Sequence, residues 1–291
     1  MWKMRRYQPS RNVRLLALVI LVFSLMASYV LMLRHFNVFE LPGERQFGAV
    51  GPVEPAGEVY LEPIDIDALN DSMEMRAYLS PSVSARNNSN AASDRYLTLL
   101  LTHDKTVEEV KLAAASHLAT STFEVDLNDG SVTHYPLDAY RARFGVQLLD
   151  AKSSLKLPVR ITVWEGVLGY NLHTTSEPGA DPDDIELTTS ITRTSAFVLF
   201  ALCAYGAMVV LAGCALAVGV LTFIDVRQPD ATLIAALAAI IFALPVFRNA
   251  LPGSPPLGVE ADMWVFLWTE LVAVLALVLL VYKWARTGPR L

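Results

Sequence analysis

Apolar and polar positions alternate along this chain on two different scales. Leu15 to Leu33 is a run of 19 residues without a charge, interrupted only by Ser24, Ser28 and Tyr29. Comparable runs cover Ser195 to Ile224, Ala231 to Phe247 and Met263 to Tyr282. A hydrocarbon core about 30 Å thick takes roughly 20 helical residues. Only helices and closed barrels satisfy their backbone hydrogen bonds in lipid. The runs therefore predict four transmembrane helices, at 15–33, 195–224, 231–247 and 263–282. The second is long enough to cross with tilt, and too short for two crossings with a turn between them.

Between the first and second runs the pattern shortens. Strand-like segments recur at 58–66, 73–79, 96–102, 107–113, 122–127, 131–135, 140–149, 159–164, 167–174 and 185–193. Val159-Arg160-Ile161-Thr162-Val163-Trp164 and Phe123-Glu124-Val125-Asp126-Leu127 alternate with a period of two, which lays one face on a core. Asn128-Asp129-Gly130 reads as a hairpin turn, because these residues tolerate positive φ. Proline and glycine crowd residues 40–57, and 34–57 reads as a linker. The fold expected is membrane α-helical plus all-β. An immunoglobulin-like β-sandwich at 58–193 stands between the first helix and the remaining three.

Charge gives this arrangement a direction. Lys3, Arg5, Arg6, Arg11 and Arg14 precede the first run without an acid, and Lys283, Arg286 and Arg290 follow the last. By the positive-inside rule the tails at 1–14 and 283–291 are cytoplasmic. Residues 34–192 and the loop 248–262 then lie outside. The former carry 12 Lys and Arg against 24 Asp and Glu, a net charge of −12, and the rest of the chain has +6. The whole-chain value of −6 conceals this split. The expected location is the cytoplasmic membrane, with both termini inside and the lipid bilayer as the first partner. The first run exceeds the 7–15 residues of a signal h-region, so it reads as an uncleaved anchor.

Composition agrees. At 291 residues the chain is 53% hydrophobic and only 18% charged, against about 25% charged in soluble domains. Its two cysteines, Cys203 and Cys214, are 11 residues apart in one span, which is about 16 Å on a helix and too far for a disulfide.

Candidate chemistry is sparse. His35, His103, His117, His134 and His173 fall one to an element, and no His-x-His, His-Glu-x-x-His or Cys-x-x-Cys occurs. Neither a metal nor a cofactor is expected, and nothing suggests a nucleic-acid partner. Asp126-Leu127-Asn128-Asp129-Gly130 misses calcium-loop spacing and reads as a turn. Asp181-Pro182-Asp183-Asp184 reads as a solvated acidic loop. Trp164-Glu165 and His134 near Asp138 are the only groups an enzyme reading could nominate, and no catalytic role is assigned. The membrane part holds a candidate polar cluster of Asp230, Arg248, Asn249, Glu260, Asp262 and Glu270. It reads either as salt bridges fixing the helices or as a lining for ions or protons. Small residues in the second span, including Gly213/Ala217 and Ala215/Gly219, suit close helix packing.

Three segments carry a family resemblance. They are Asp129-Gly130-Ser131-Val132-Thr133-His134-Tyr135-Pro136-Leu137-Asp138, Val163-Trp164-Glu165-Gly166-Val167-Leu168-Gly169, and the stretch from Phe242 through Pro245, Arg248 and Asn249 to Pro252-Gly253. On these the chain resembles the bacterial membrane-protein family of domain of unknown function 4436, common in actinobacteria, over nearly its whole length. That resemblance implies a one-plus-three arrangement of spans and no activity.

A second similarity is to pentameric ligand-gated ion channels. Val132-Thr133-His134-Tyr135-Pro136-Leu137-Asp138 resembles the aromatic-Pro-x-Asp loop with which their β-sandwich touches the membrane domain. The resemblance implies a coupling loop of Tyr135, Pro136 and Asp138 acting with Arg193 where the last strand enters a span. It also implies Asp230 at the inner mouth of a pore-like third span. The chain departs from that family in having no cysteine pair around the loop, no proline in the span after Arg193, and a span before the sandwich. Thr232 is the only hydroxyl of the third span. The function expected is a non-enzymatic binding, scaffold or assembly component of the cell envelope, acting through its acidic β-sandwich on a membrane-protein partner. The alternative is a homo-oligomeric ion channel.

Overall fold

The computed structural model describes residues 11–35, 43–48, 55, 57–81, 96–103, 106–113, 120–150, 154–178 and 185–287. The chain divides into two compact units, Met1–Glu40 and Leu41–Leu291. In the first unit, α1 (Arg11–His35) contains the whole of the first apolar run. In the second, a β-domain runs directly into three long apolar helices, and the two are in contact.

Twelve strands form one curled sheet. In chain order they are β1 (Glu44–Gly48), β2 (Gly57–Asp67), β3 (Ser72–Pro81), β4 (Tyr96–His103), β5 (Thr106–Ala113) and β6 (Thr120–Asp129). There follow β7 (Ala139–Asp150), β8 (Lys156–Leu157), β9 (Val159–Trp164), β10 (Gly166–Val167), β11 (Tyr170–Pro178) and β12 (Ile185–Arg193). The main ladder runs β1-β9-β2-β3-β6-β7-β12-β11-β10, and β7 also carries β4 and β8. β6 is the corner, pairing with β3 through residues 120–126 and with β7 near its end. The two limbs close on one core, to which Val59, Met73 and Phe123 come from one side and Leu99, Phe144 and Leu187 from the other. β7 shows how sequence places these groups. Tyr140, Ala142, Phe144, Val146 and Leu148 alternate inward, while charged Arg141 and Arg143 face out, as a period of two requires.

Three expectations change here. The linker at 34–57 contains a strand: β1 pairs with β9, and its Arg45 meets Glu165 at 2.9 Å. An edge strand of five residues between prolines and glycines carries too little apolar pattern to announce itself. The segment 131–135 is no strand. It is a 3₁₀ turn, Val132–His134, whose Ser131 side chain accepts from Thr133 N. Asp129-Gly130 accordingly opens a nine-residue connection instead of closing a tight hairpin. Gly130 sits at φ +131°, where a Cβ would collide with the Ala139 carbonyl. The segment 167–174 is divided, because Leu168-Gly169 turns β10 back into β11, with Gly169 at φ +86°. Pro63 lies inside β2 where the β2–β3 register shifts. The shift accommodates a residue that cannot donate to the ladder.

The helices are α2 (Ser195–Phe223), α3 (Ala231–Asn249) and α4 (Asp262–Thr287), the last opening with a π turn over Asp262–Phe266. These three are long and apolar enough to cross a membrane. Within α1, Val22–Leu31 is a shorter apolar helical stretch, below that length. Glycine brings α2 onto α4: a Cβ on Gly219 would stand 2.7 Å from the Ala276 carbonyl oxygen. Gly206 and Gly213 have nothing within 4 Å and serve no such approach. At the end remote from the β-domain, Lys283 holds Asp225 at 2.7 Å.

Candidate functional site

The β-domain and the helices meet where β12 becomes α2, and the junction is built around one cation. Arg193 is the last residue of β12, and Thr194 turns the chain by donating its N–H to the Gly169 carbonyl at 3.0 Å. The guanidinium is buried. Its Nε reaches both Asp138 carboxylate oxygens at 3.1 and 2.9 Å, and Nη2 lies 2.9 Å from Oδ2. Tyr140 adds its hydroxyl to the same carboxylate at 2.8 Å. Around the cation stand the rings of Tyr170 at 4.3 Å, Phe197 at 4.6 Å and Tyr135 at 5.6 Å. Charge pairing, hydrogen bonds and π faces together replace the water that Arg193 and Asp138 have lost.

Tyr135 carries the contact onward. Although it belongs to the β6–β7 connection, it packs in the cluster of helix residues that includes Ala201, Leu244 and Ala273. Its hydroxyl donates to the Pro252 carbonyl at 3.0 Å, and its ring meets Phe197 edge-on at 6.0 Å. Burial raises its pKa. Burial also raises those of Tyr140 and Tyr170, with the Asp138 carboxylate as a further cause at both. The Tyr135 and Tyr140 hydroxyls thus keep the protons they donate to Pro252 and Asp138.

A second pair closes the loop between α3 and α4. Arg248 Nη2 meets Asp262 Oδ2 at 2.6 Å, and Nε lies 3.1 and 3.2 Å from the two carboxylate oxygens. The remaining donors go to the carbonyls of Pro255 at 3.0 Å and Pro256 at 2.7 Å. Asp262 also accepts from Tyr205 Oη at 3.1 Å and from Gly258 N at 3.1 Å.

Of the expected coupling group, Asp138 and Arg193 are in direct contact and Tyr135 stands beside them; Pro136 follows Tyr135 across a cis bond. The expected polar cluster does not converge. Arg248 and Asp262 pair, whereas Glu260 lies 3.2 Å from His134 across the junction. Asn249 is exposed at the end of α3. Asp230 is the N-cap of α3, accepting from Thr232 N and Oγ1, about 27 Å along the helix from Arg248. Those hydrogen bonds lower its pKa. Glu270 is half-buried, and its Oε2 has no hydrogen-bond partner among the described residues.

Tyr140, Tyr170, Phe197, Tyr205 and the Pro252 carbonyl complete the site without having been nominated from sequence. Tyr140 was within reach, because it lies two residues beyond Asp138 and shares its side of the strand. The others depend on contacts between distant segments. Of Trp164-Glu165, the glutamate acts as a staple. Glu165 accepts from Thr174 N at 2.6 Å and from Arg45, which in turn contacts His173 Nδ1 at 3.0 Å. Among the described residues no three His, Cys, Asp or Glu side chains converge as metal ligands. Residues 181–184, His117 and the side chains of His35 and His103 lie outside the described residues.

Beside Arg193 opens a cleft of about 700 Å³. The β2–β3 turn (Asp65 to Leu69) and the β10–β11 turn (Leu168, Gly169) form one wall. The first turn of α2 and the segment 252–256 form the other.

With the junction defined, family comparison divides the chain at the same place. Residues 51–191 match the family described as Domain of unknown function (DUF4436). Residues 193–287 match a second family, Domain of unknown function (DUF8686). No curated protein matches the chain. The DUF4436 match supports the family read from the Asp129–Asp138 and Val163–Gly169 segments. It corrects the extent of that resemblance, because the segment from Phe242 to Gly253 falls in the DUF8686 match. The boundary coincides with the passage from β12 into α2 at Arg193. The DUF4436 match thus covers β2 to nearly the end of β12, with Asp138, while Arg193, the last residue of β12, is the first residue of the DUF8686 match.

Proposed function

We propose that this chain is a non-enzymatic binding or scaffold component of a bacterial cell envelope, of the actinobacterial type that the family resemblance implies. It is anchored in the cytoplasmic membrane by four spans, with α1 as the first. An acidic, extracytoplasmic β-domain with an immunoglobulin-like sandwich core recognises a membrane-protein partner, and both termini face the cytoplasm. Supporting the orientation are the net charges of −12 over residues 34–192 and +6 elsewhere. The observation that carries the role is the junction. There the buried Arg193 is satisfied by Asp138 and three aromatic rings, so its polarity is spent on rigid coupling and not on an open reactive site.

The test is the native mass of the full chain in mild detergent after cross-linking. A monomer, or a stable hetero-complex without self-association, is expected. A homo-oligomer that conducts ions, with conductance lost on Asp230→Ala or Glu270→Ala, overturns this reading in favour of a channel. The contact of Tyr135 with the loop after α3 favours that second reading, since it is where a channel's β-domain would act on its pore helix. Against it stands the apolar α3, in which hydration of a pore would be costly.

A further inference from the structure

The end of the β-domain that faces the helices is tipped with leucine. Leu69 in the β2–β3 turn is 61% exposed, Leu137 beside Pro136 is 71% exposed, and Leu168 at the β10–β11 turn is 100% exposed. Turns ordinarily carry Gly, Asn, Asp and Ser at such places. A lone exposed leucine would need no explanation, but these share one end. Leu69 and Leu168 border the cleft beside Phe197 and Pro252. Leu137 is bracketed by Tyr135 and Asp138, which bond Pro252 and Arg193. Among the described residues of the β-domain one other leucine is as exposed, Leu155, beyond the far end of β7.

The helix side of the junction also exposes apolar groups. Leu257, in the loop before α4, is 78% exposed, and Trp264 in the first turn of α4 is 77% exposed. Tryptophan concentrates where apolar helices enter the headgroup region. Farther along α3, Phe242 is 75% exposed. Exposed leucines at the end of the β-domain that adjoins membrane-crossing helices, with an exposed tryptophan in the first turn of one of those helices, are matched by one occupant, the acyl boundary of a lipid leaflet.

We infer that the β-domain rests on the bilayer through Leu69, Leu137 and Leu168, which insert with Leu257 into the outer-leaflet interface. This inference rests on the reading of α2, α3 and α4 as membrane spans. The domain would then be held by lipid as well as by the Arg193–Asp138 pair. Its acidic flanks would stay in water.

The test places a nitroxide at single cysteines in the full chain, reconstituted in phospholipid nanodiscs after Cys203→Ala and Cys214→Ala. The sites are Leu69→Cys and Leu168→Cys, with Phe242→Cys as a reference in the bundle and Glu177→Cys as a reference on the far part of β11. Collision rates with oxygen, which partitions into lipid, and with a water-soluble nickel chelate report the surroundings. The expected oxygen-to-nickel ratio at 69 and 168 is several-fold above that at 177 and approaches that at 242. A ratio equal to that at 177 overturns the inference. Low collision rates with both reagents at 69 and 168 also overturn it, because they mean burial against protein, including a second copy of this chain. Nickel access at 242 removes the spanning reading itself, an outcome distinct from failure at the leucines alone.

Discussion

The two buried arginines solve the same electrostatic problem with different materials. Each meets an aspartate through Nε and Nη2, and each aspartate accepts a tyrosine hydroxyl, Tyr140 at Asp138 and Tyr205 at Asp262. Arg193 directs the rest of its surface to aromatic faces, while Arg248 gives its remaining donors to the carbonyls of Pro255 and Pro256. The partners differ in reach. Asp138 and Arg193 are 55 residues apart and join β-domain to helix, whereas Asp262 and Arg248 are 14 apart and brace one loop. A cation set on rings is held by packing from several elements, and one set on carbonyls by the local course of its own chain. The first ties domains together, and the second keeps a loop in shape for Tyr135 to dock on.

The comparison can be broken most severely at the carboxylates. Asp138→Ala leaves Arg193 buried with rings but no counter-charge, and should cost about 3–5 kcal/mol. Asp262→Ala should cost less, because two carbonyls remain on Arg248. Thermal unfolding of the full chain in detergent ranks the two. Joint replacement of Asp138 and Arg193 by Leu and Met should recover much of the loss, as an apolar substitute removes both desolvation penalties. Equal losses for the two single variants would dissolve the distinction drawn between the pairs.

Helix contact provides the next effect. Gly219→Leu drives a side chain into the Ala276 backbone and should destabilise by about 1–3 kcal/mol, while Gly213→Leu, with open space around it, should be nearly silent in the same melt. Smaller again, Tyr135→Phe removes one neutral hydrogen bond to Pro252 and keeps the ring contact, at about 0.5–1.5 kcal/mol. This tyrosine also sets a pH dependence. Its folded pKa is raised by burial above the ordinary 10.0, so its stabilisation is whole below pH 10.0 and is lost as pH rises toward the folded value. Unfolding midpoints measured across alkaline pH should fall less steeply in Tyr135→Phe. The smallest change is expected at the exposed His134–Glu260 contact, where His134→Ala should cost about 0–1 kcal/mol. A larger loss there would mean that the junction relies on its rim as well as on its buried pair.

Much of this was legible from local pattern. The long runs marked α2, α3 and α4 to within a few residues, because a helix exposed to lipid must be apolar along its whole length. β7 and β12 were legible because one buried face imposes alternation. The bond between Asp138 and Arg193 was approached through a resemblance rather than through spacing. Of the membrane cluster, Arg248 and Asp262 pair, whereas Asp230 stands at the other end of α3, a separation the sequence already carried because helical rise over the third span keeps it from Arg248.

Sequence alone determined which segments are apolar helices, most of the strands, and where charge accumulates, because these follow from periodicity and composition within one segment; β1 and the turn at Val132–His134 escaped it. Tertiary structure decided which charges neutralise one another, which tyrosine leaves its own domain to pack among helices, and which glycine admits a neighbouring backbone. Those outcomes depend on distances between residues far apart in the chain. No local pattern encodes such distances until the whole core has closed.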